Sequence, residues 1–170
     1  MKKLKLTLLT IVSIMLINGC DQAPAPANAQ RSITEVVALP HMSQKTIMNK
    51  INLWIAERAS SYQNVVQYHT GSSIVVKANV KFPCEGVECI AKEKWRLWFM
   101  LKVDTKPSKM RVSLNNFEVS WSPSVDSLGY HEGHRGPIYL KGDLRNTLKE
   151  ARQIKNDLIM YVKSNQNTQW

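Results

Sequence analysis

The chain carries no short motif that announces a reaction. It has no Gly-x-Ser-x-Gly elbow, no zincin motif and no phosphate-binding glycine loop, so catalysis finds no support in the sequence. Internal repeats are absent. Cysteine is scarce, with three in 170 residues. Acid is also short: 13 Asp and Glu stand against 23 Lys and Arg, a formal net charge of +10. No apolar run is long enough for an ordinary transmembrane helix.

What is present begins with an address. Lys2, Lys3 and Lys5 precede an apolar run from Leu6 to Ile17, and Asn18-Gly19-Cys20 follows. A charged start, a short apolar core and a small-residue exit form the anatomy of a secretory signal. The cysteine directly after Gly19 makes it resemble a bacterial lipoprotein signal, in which cleavage leaves a lipid-bearing N-terminal cysteine. Residues 1–19 are then the signal peptide and Cys20 the lipidation site, giving a membrane anchor through the N-terminal lipid. Asp21 resembles the signal that holds enterobacterial lipoproteins at the inner membrane, so the expected place is the periplasmic face of that membrane in a bacterial cell envelope. Cleavage removes three of the 23 basic residues and none of the 13 acidic ones, taking the formal charge from +10 to +7. Residues 20–32, rich in Ala and Pro, read as an extended tether holding the folded part away from the lipid.

Residues 33–164 suit one domain with one core, and residues 165–170 read as a polar tail. The basic surplus suits a soluble surface or anionic lipid headgroups. Export to the envelope argues against nucleic acid as a partner. Cys84 and Cys89 flank a turn-rich stretch, and in an exported protein that spacing predicts a disulfide that pins a loop. Redox-active pairs of the thioredoxin kind keep two residues between the cysteines, and here there are four.

The pattern along the chain is α+β. Residues 33–39 read as a strand. Ser43 is positioned to cap a helix in which Ile47, Ile51, Trp54 and Ile55 share one face, running to about Ala59. The period then changes to two. Val65 to His69 is a strand, and Thr70-Gly71-Ser72 is a turn. Ile74, Val76, Ala78, Val80 and Phe82 then alternate with Val75, Lys77, Asn79 and Lys81. Past the cysteines, Trp95, Leu97, Phe99, Leu101 and Val103 alternate with Arg96, Trp98, Met100 and Lys102. After the turn Lys106-Pro107-Ser108-Lys109, Met110, Val112 and Leu114 share one parity. Phe117, Val119 and Trp121 take the other, which calls for a bulge near Asn115-Asn116. Residues 122–141 read as a loop. A second helix follows with Leu144, Leu148, Ala151, Ile154, Leu158, Tyr161 and Val162 on one stripe, and Asp143 as its N-cap. The expected fold is an antiparallel sheet in the order β-α-β-β-β-β-α, with both helices packed on one face.

This order and its motifs resemble an uncharacterised bacterial envelope family with a TATA-binding-protein-like (TBP-like) fold. The resemblance rests on Leu39-Pro40 before Ser43, Leu53-Trp54-Ile55, the Gly71 turn and the strand Ser73 to Val80. It also rests on Ser108-Lys109-Met110-Arg111-Val112 leading to Asn115-Asn116-Phe117. It covers about residues 33–162. It implies the fold and no activity, and likeness to a DNA-binding protein does not transfer DNA binding.

Two clusters invite a function. His131 and His134, in Tyr130-His131-Glu132-Gly133-His134, are weak metal candidates, to which His41 and His69 could contribute; a plain solvated loop is the simpler reading. The open sheet face is the stronger candidate. Lys77, Lys81, Arg96, Trp98, Met100, Lys102 and Arg111 would form an adaptable aromatic and basic contact patch for another envelope protein. Neither cofactor nor catalytic residue is expected. The resulting expectation is a lipid-anchored, non-catalytic docking or accessory protein, with a metal- or ligand-binding lipoprotein as the alternative. Cys84→Ser should lower the melting temperature by loosening the loop without abolishing the fold. Identical melts of oxidised and reduced protein would contradict a structural disulfide.

Overall fold

In the computed structural model the described residues are 22–62, 65–126 and 129–164. The expected signal peptide, Cys20, Asp21 and the tail 165–170 lie outside them. Strand β1 (Ile33–Ala38) leads to helix α1 (Gln44–Tyr62), then β2 (Val65–His69) and β3 (Ser73–Lys81). A short helix α2 (Glu88–Ala91) precedes the long strands β4 (Arg96–Lys106) and β5 (Lys109–Trp121). Three short strands, β6 (Ser124–Asp126), β7 (Gly129–His131) and β8 (His134–Pro137), come before the closing helix α3 (Lys141–Lys163).

The main sheet runs β1-β5-β4-β3-β2, antiparallel throughout, and β8 continues the β1 edge beyond it by pairing with the far half of β5. The expected β-α-β-β-β-β-α order is present. Alternation sets the faces: Leu97, Phe99, Leu101 and Val103 are at most 2% exposed, while Arg96 and Lys102 are open. Reversing the strand would bury two cations, so its facing is strongly fixed. The change of parity in β5 is resolved where the sequence asks for it. The register slips between Trp98 and Met100, opposite Asn115 to Glu118, and Asn116 takes a left-handed φ of 53°. Phe117 and Val119 thereby return to the core side.

Both helices cover the core face. The Ser43 hydroxyl accepts from the Thr46 N–H at 3.1 Å, the expected N-cap. Helix α1 runs to Tyr62 rather than Ala59. It is joined to α3 through Asp157, which accepts from the Trp54 indole at 3.0 Å and from Arg58 at 2.8 Å. Of the expected α3 stripe, Leu144, Ala151, Ile154, Leu158 and Val162 are buried, Leu148 and Tyr161 pack partly buried against the core, and Ile159 joins them.

Three expectations are corrected. Residues 122–141 are not simply a loop, because they hold the β6–β7 hairpin and β8. Asp143 is not the N-cap of α3. Leu140 holds that position, and Asp143 sits in the first turn, turned onto Lys92. The described part of the Ala/Pro segment is not a free tether. The Ala25 N–H donates to the Tyr139 carbonyl at 2.6 Å and the Lys141 N–H to the Ala23 carbonyl at 2.8 Å. Arg31 donates to the Ile138 carbonyl at 2.9 Å, and Ala25 and Ala29 pack against the core. Extended Ala/Pro backbone still offers peptide donors and acceptors, and here residues 138–141 satisfy some of them.

The cysteine loop is closed as expected by the Cys84–Cys89 disulfide, with Cα atoms 5.3 Å apart. Behind it Lys92 is 8% exposed. Its ammonium donates to Asp143 and to Glu88, and lies over the rings of Phe82 (5.6 Å) and Trp95 (5.4 Å). Lys92→Ala would leave the Asp143 carboxylate buried without its cation, a loss of about 3–5 kcal/mol by comparison with broken buried pairs. Urea unfolding should read that loss, and a change below about 1 kcal/mol would mean that water reaches Asp143.

Candidate functional site

The open face of the sheet carries the non-core positions of β1, β3, β4 and β5. Its sequence-predicted residues do not form one patch; the structure divides them into three zones.

At one end, Lys102 and Arg111 share a carboxylate the sequence reading passed over. Asp104 has the same parity as both. It accepts from Arg111 Nε at 3.1 Å and Nη2 at 2.6 Å, from Ser73 at 2.8 Å, and lies 3.6 Å from Lys102. Burial acts to raise its pKa, but the Arg111 and Ser73 hydrogen bonds, with Lys102 beside it, outweigh that and hold it below the ordinary 3.8. Asp104 thereby offsets one of the two positive charges of Lys102 and Arg111.

In the centre, Trp98 is half-buried rather than facing water. The Arg135 guanidinium from β8 lies 4.2 Å from the ring centroid, and the Lys77 ammonium lies 5.9 Å away. The indole N–H donates to Ser120 Oγ at 2.8 Å. Arg135 is held by Glu118 at 2.8 Å. Asn79, opposite Trp98 on β3, is only 3% exposed. β8, lying beside β5 in the sheet, thus sends the Arg135 side chain over this face and adds a cation to it. Beside Trp98 the bulge opens a groove of about 370 Å³, lined by Lys77, Met100, Asn116, Glu118 and Pro137. The Asn116 amide reaches the Met100 sulfur at 3.1 Å. Trp98 and Met100 thus form a cation-flanked shelf along a groove, with its polar atoms already oriented.

At the other end, Lys81 and Arg96 are both exposed and stand opposite each other across β3 and β4. Like charges in that relation are unfavourable unless something outside the sheet compensates them. They belong to the end of the sheet beside the cysteine loop rather than to the groove.

The histidine cluster does not assemble as a metal site. His134 packs its ring on Trp121, 4.6 Å between centroids, as the last member of a stack with Trp95 and Phe82. His131 is exposed on β7. His69 lies on β2, at the opposite edge of the sheet, near Asn52. Among the described residues no three His, Cys, Asp or Glu side chains converge.

Taken alone, this architecture defines a TBP-like α+β domain. The family described as a domain of unknown function (DUF4468) with TBP-like fold matches residues 34–120, a little over half of the chain, and the chain belongs to that family. A crystal structure of a DUF4468 family protein from Bacteroides ovatus ATCC 8483 superposes with a TM-score of 0.60 at 12% identity, covering 85% of this chain and 92% of that one. A TBP-like protein from Parabacteroides distasonis ATCC 8503 gives a TM-score of 0.58 at 13% identity, covering 82% and 97%. At such identities the likeness establishes the fold alone. Among curated proteins nothing matches the chain. The family match ends at Ser120, so β8 and its Arg135 lie beyond it.

Because the folded state lowers the Asp104 pKa, Asp104 contributes stability that is present above its unfolded value, near pH 4, and lost as pH falls through the folded one. The melting temperature of Asp104→Asn should therefore lie below wild type at pH 6, and the gap should narrow at about pH 3. A gap of the same size at both pH values would remove the charge from the account.

Proposed function

We propose that this protein is a lipid-anchored bacterial envelope protein whose domain docks non-catalytically onto another envelope protein through the open sheet face. One observation carries the reading: Trp98, held between Lys77 and Arg135, beside the groove that the β5 bulge opens. A rigid aromatic flanked by cations, next to an adaptable methionine, is the composition that protein interfaces favour. The occupant this chemistry selects is an extended or loop segment rich in Asp and Glu. Glu118 and Asn116 on the groove wall would read its backbone or polar side chains. The anchor comes from Cys20, and Asp21 favours the periplasmic face of the inner membrane. The docking role suits an accessory component of an envelope assembly and needs no cofactor.

The anchor is tested by mass spectrometry of the N-terminal peptide from membrane-purified protein. The expected product begins at Cys20 with its lipids, and Cys20→Ser should lose both processing and membrane retention. Docking is tested in living cells with a photo-crosslinking residue at position 100. One dominant envelope protein, crosslinked through an acidic segment, is expected. Lys77→Glu in the same background should reduce the product roughly tenfold, as loss and reversal of a close charge would, while leaving the melting temperature within a few degrees. An undiminished product in Lys77→Glu, or none beside a working control probe, would refute the assignment.

A further inference from the structure

The docked Ala/Pro segment has a consequence for orientation. Ala23 is already hydrogen-bonded to Lys141, and Gln22 lines a groove with Glu88, Ala91, Leu140 and Arg145. Only two residue steps separate Gln22 from Cys20. Fully extended, that is about 7 Å of chain. A lipid on Cys20 therefore could not hold the domain at a distance. It would draw the end of the molecule around Gln22 onto the bilayer.

That end has an unusual surface. Val87 is 86% exposed and Ile90 81% exposed, both in or beside the disulfide-closed loop. Ile90 and Val125, itself 76% exposed at the β6–β7 hairpin, line a second groove with Lys94 and Trp95. Ala91 lines both grooves, so the second groove adjoins the one lined by Gln22, from which the chain leaves toward Cys20. Near the centre Glu88 and Asp143 share Lys92, which leaves one acidic charge, and Glu85 is paired with Lys149. Glu93, Asp126 and that remaining charge stand against Lys94, Lys141 and the opposed pair Lys81 and Arg96, four bases to three acids, so the rim keeps a small positive balance. Exposed aliphatic side chains inside a basic rim are the pattern of a surface seated at the headgroup boundary of an anionic bilayer.

Building on the lipid-anchor reading, we infer that the cysteine loop and the β6–β7 hairpin form a membrane-contact surface, with Val87, Ile90 and Val125 at the acyl boundary and Lys81, Lys94 and Arg96 on anionic phospholipid headgroups. The docked segment fixes this orientation, because it ties the anchor to the start of α3. The main sheet then stands on the bilayer by one end, and its open face points sideways, clear of the lipid.

The test uses the full chain, processed in cells, purified from membranes and reconstituted into phosphatidylethanolamine–phosphatidylglycerol vesicles with brominated acyl chains. A fluorescent amino acid is placed at position 90, or at position 160 on the last turns of α3, where Met160 is also exposed. Quenching at position 90 should exceed that at 160 by about threefold or more, as burial at the acyl boundary requires. With the probe moved to position 125, the double variant Val87→Asp and Ile90→Asp should cut quenching by at least about half. Lipidated protein with equal quenching at 90 and 160 overturns this inference and leaves the anchor standing. A mature chain without lipid on Cys20 overturns the anchor and this inference with it.

Discussion

The ammonium of Lys92 ties together parts of the chain that have no other reason to meet. It sits at the point where the cysteine loop, the end of the sheet and the first turn of α3 converge. Four interactions hold it: carboxylates from Glu88 and Asp143, and the faces of Phe82 and Trp95. Burial alone would depress the pKa of this lysine, but the two carboxylates outweigh it and the pKa is raised above 10.5. The charge is thus kept at neutral pH inside the protein. Such a pair adds little net stability over an apolar replacement, yet losing one member is costly. Its value here is positional. It holds the start of α3, and through Leu140 and Lys141 the docked Ala/Pro segment, against the disulfide loop.

Much of this fold is legible in the residues because a sheet with one covered face leaves a strict record. Leu97, Phe99, Leu101 and Val103 could only point one way once Arg96 and Lys102 were assigned to water. The opposite parity of Phe117 and Val119 demanded a bulge, and Asn116 supplies it. The Cys84–Cys89 disulfide followed from spacing and from the expectation of export. Each of these rests on a local pattern backed by a large burial penalty.

What escaped the sequence depends on long-range partners that leave no period. Lys92 reads as one more solvated lysine in a loop, and only the fold brings Asp143, 51 residues later, to its side. Arg135 lies in a stretch whose Gly, Pro and Ser content reads as loop, although β8 places its side chain over Trp98. Asp104 is legible in part, because its parity puts it on one face with Lys102 and Arg111. The Ala/Pro segment is the sharpest case. Its composition describes an extended backbone, and the structure breaks that with a turn closed by the Ala29 N–H on the Pro26 carbonyl. Whether such a backbone floats or docks is decided by peptide groups that every residue possesses, so composition carries no information about it.

These corrections change how charge on the open face is understood. A uniform basic patch would attract anything acidic, lipid or protein, with little discrimination. The structure instead spends Lys102 and Arg111 on Asp104, surrounds Trp98 with Lys77 and Arg135, and leaves Lys81 and Arg96 opposed at the strand ends nearest the loop. Like-charge opposition within a sheet is a cost the fold itself does not recover. A cost of that kind is tolerated where an external anion offsets it, and the nearest extended anionic surface for a lipid-anchored domain is the bilayer. The same division separates the two proposed contacts: headgroups at the strand ends, and an acidic protein segment at the Trp98 groove. In the proposed orientation the strands would stand on the membrane by one end, so both contacts could be made at once, and the proposed anchor would raise the effective concentration of the groove for any partner held in the same membrane.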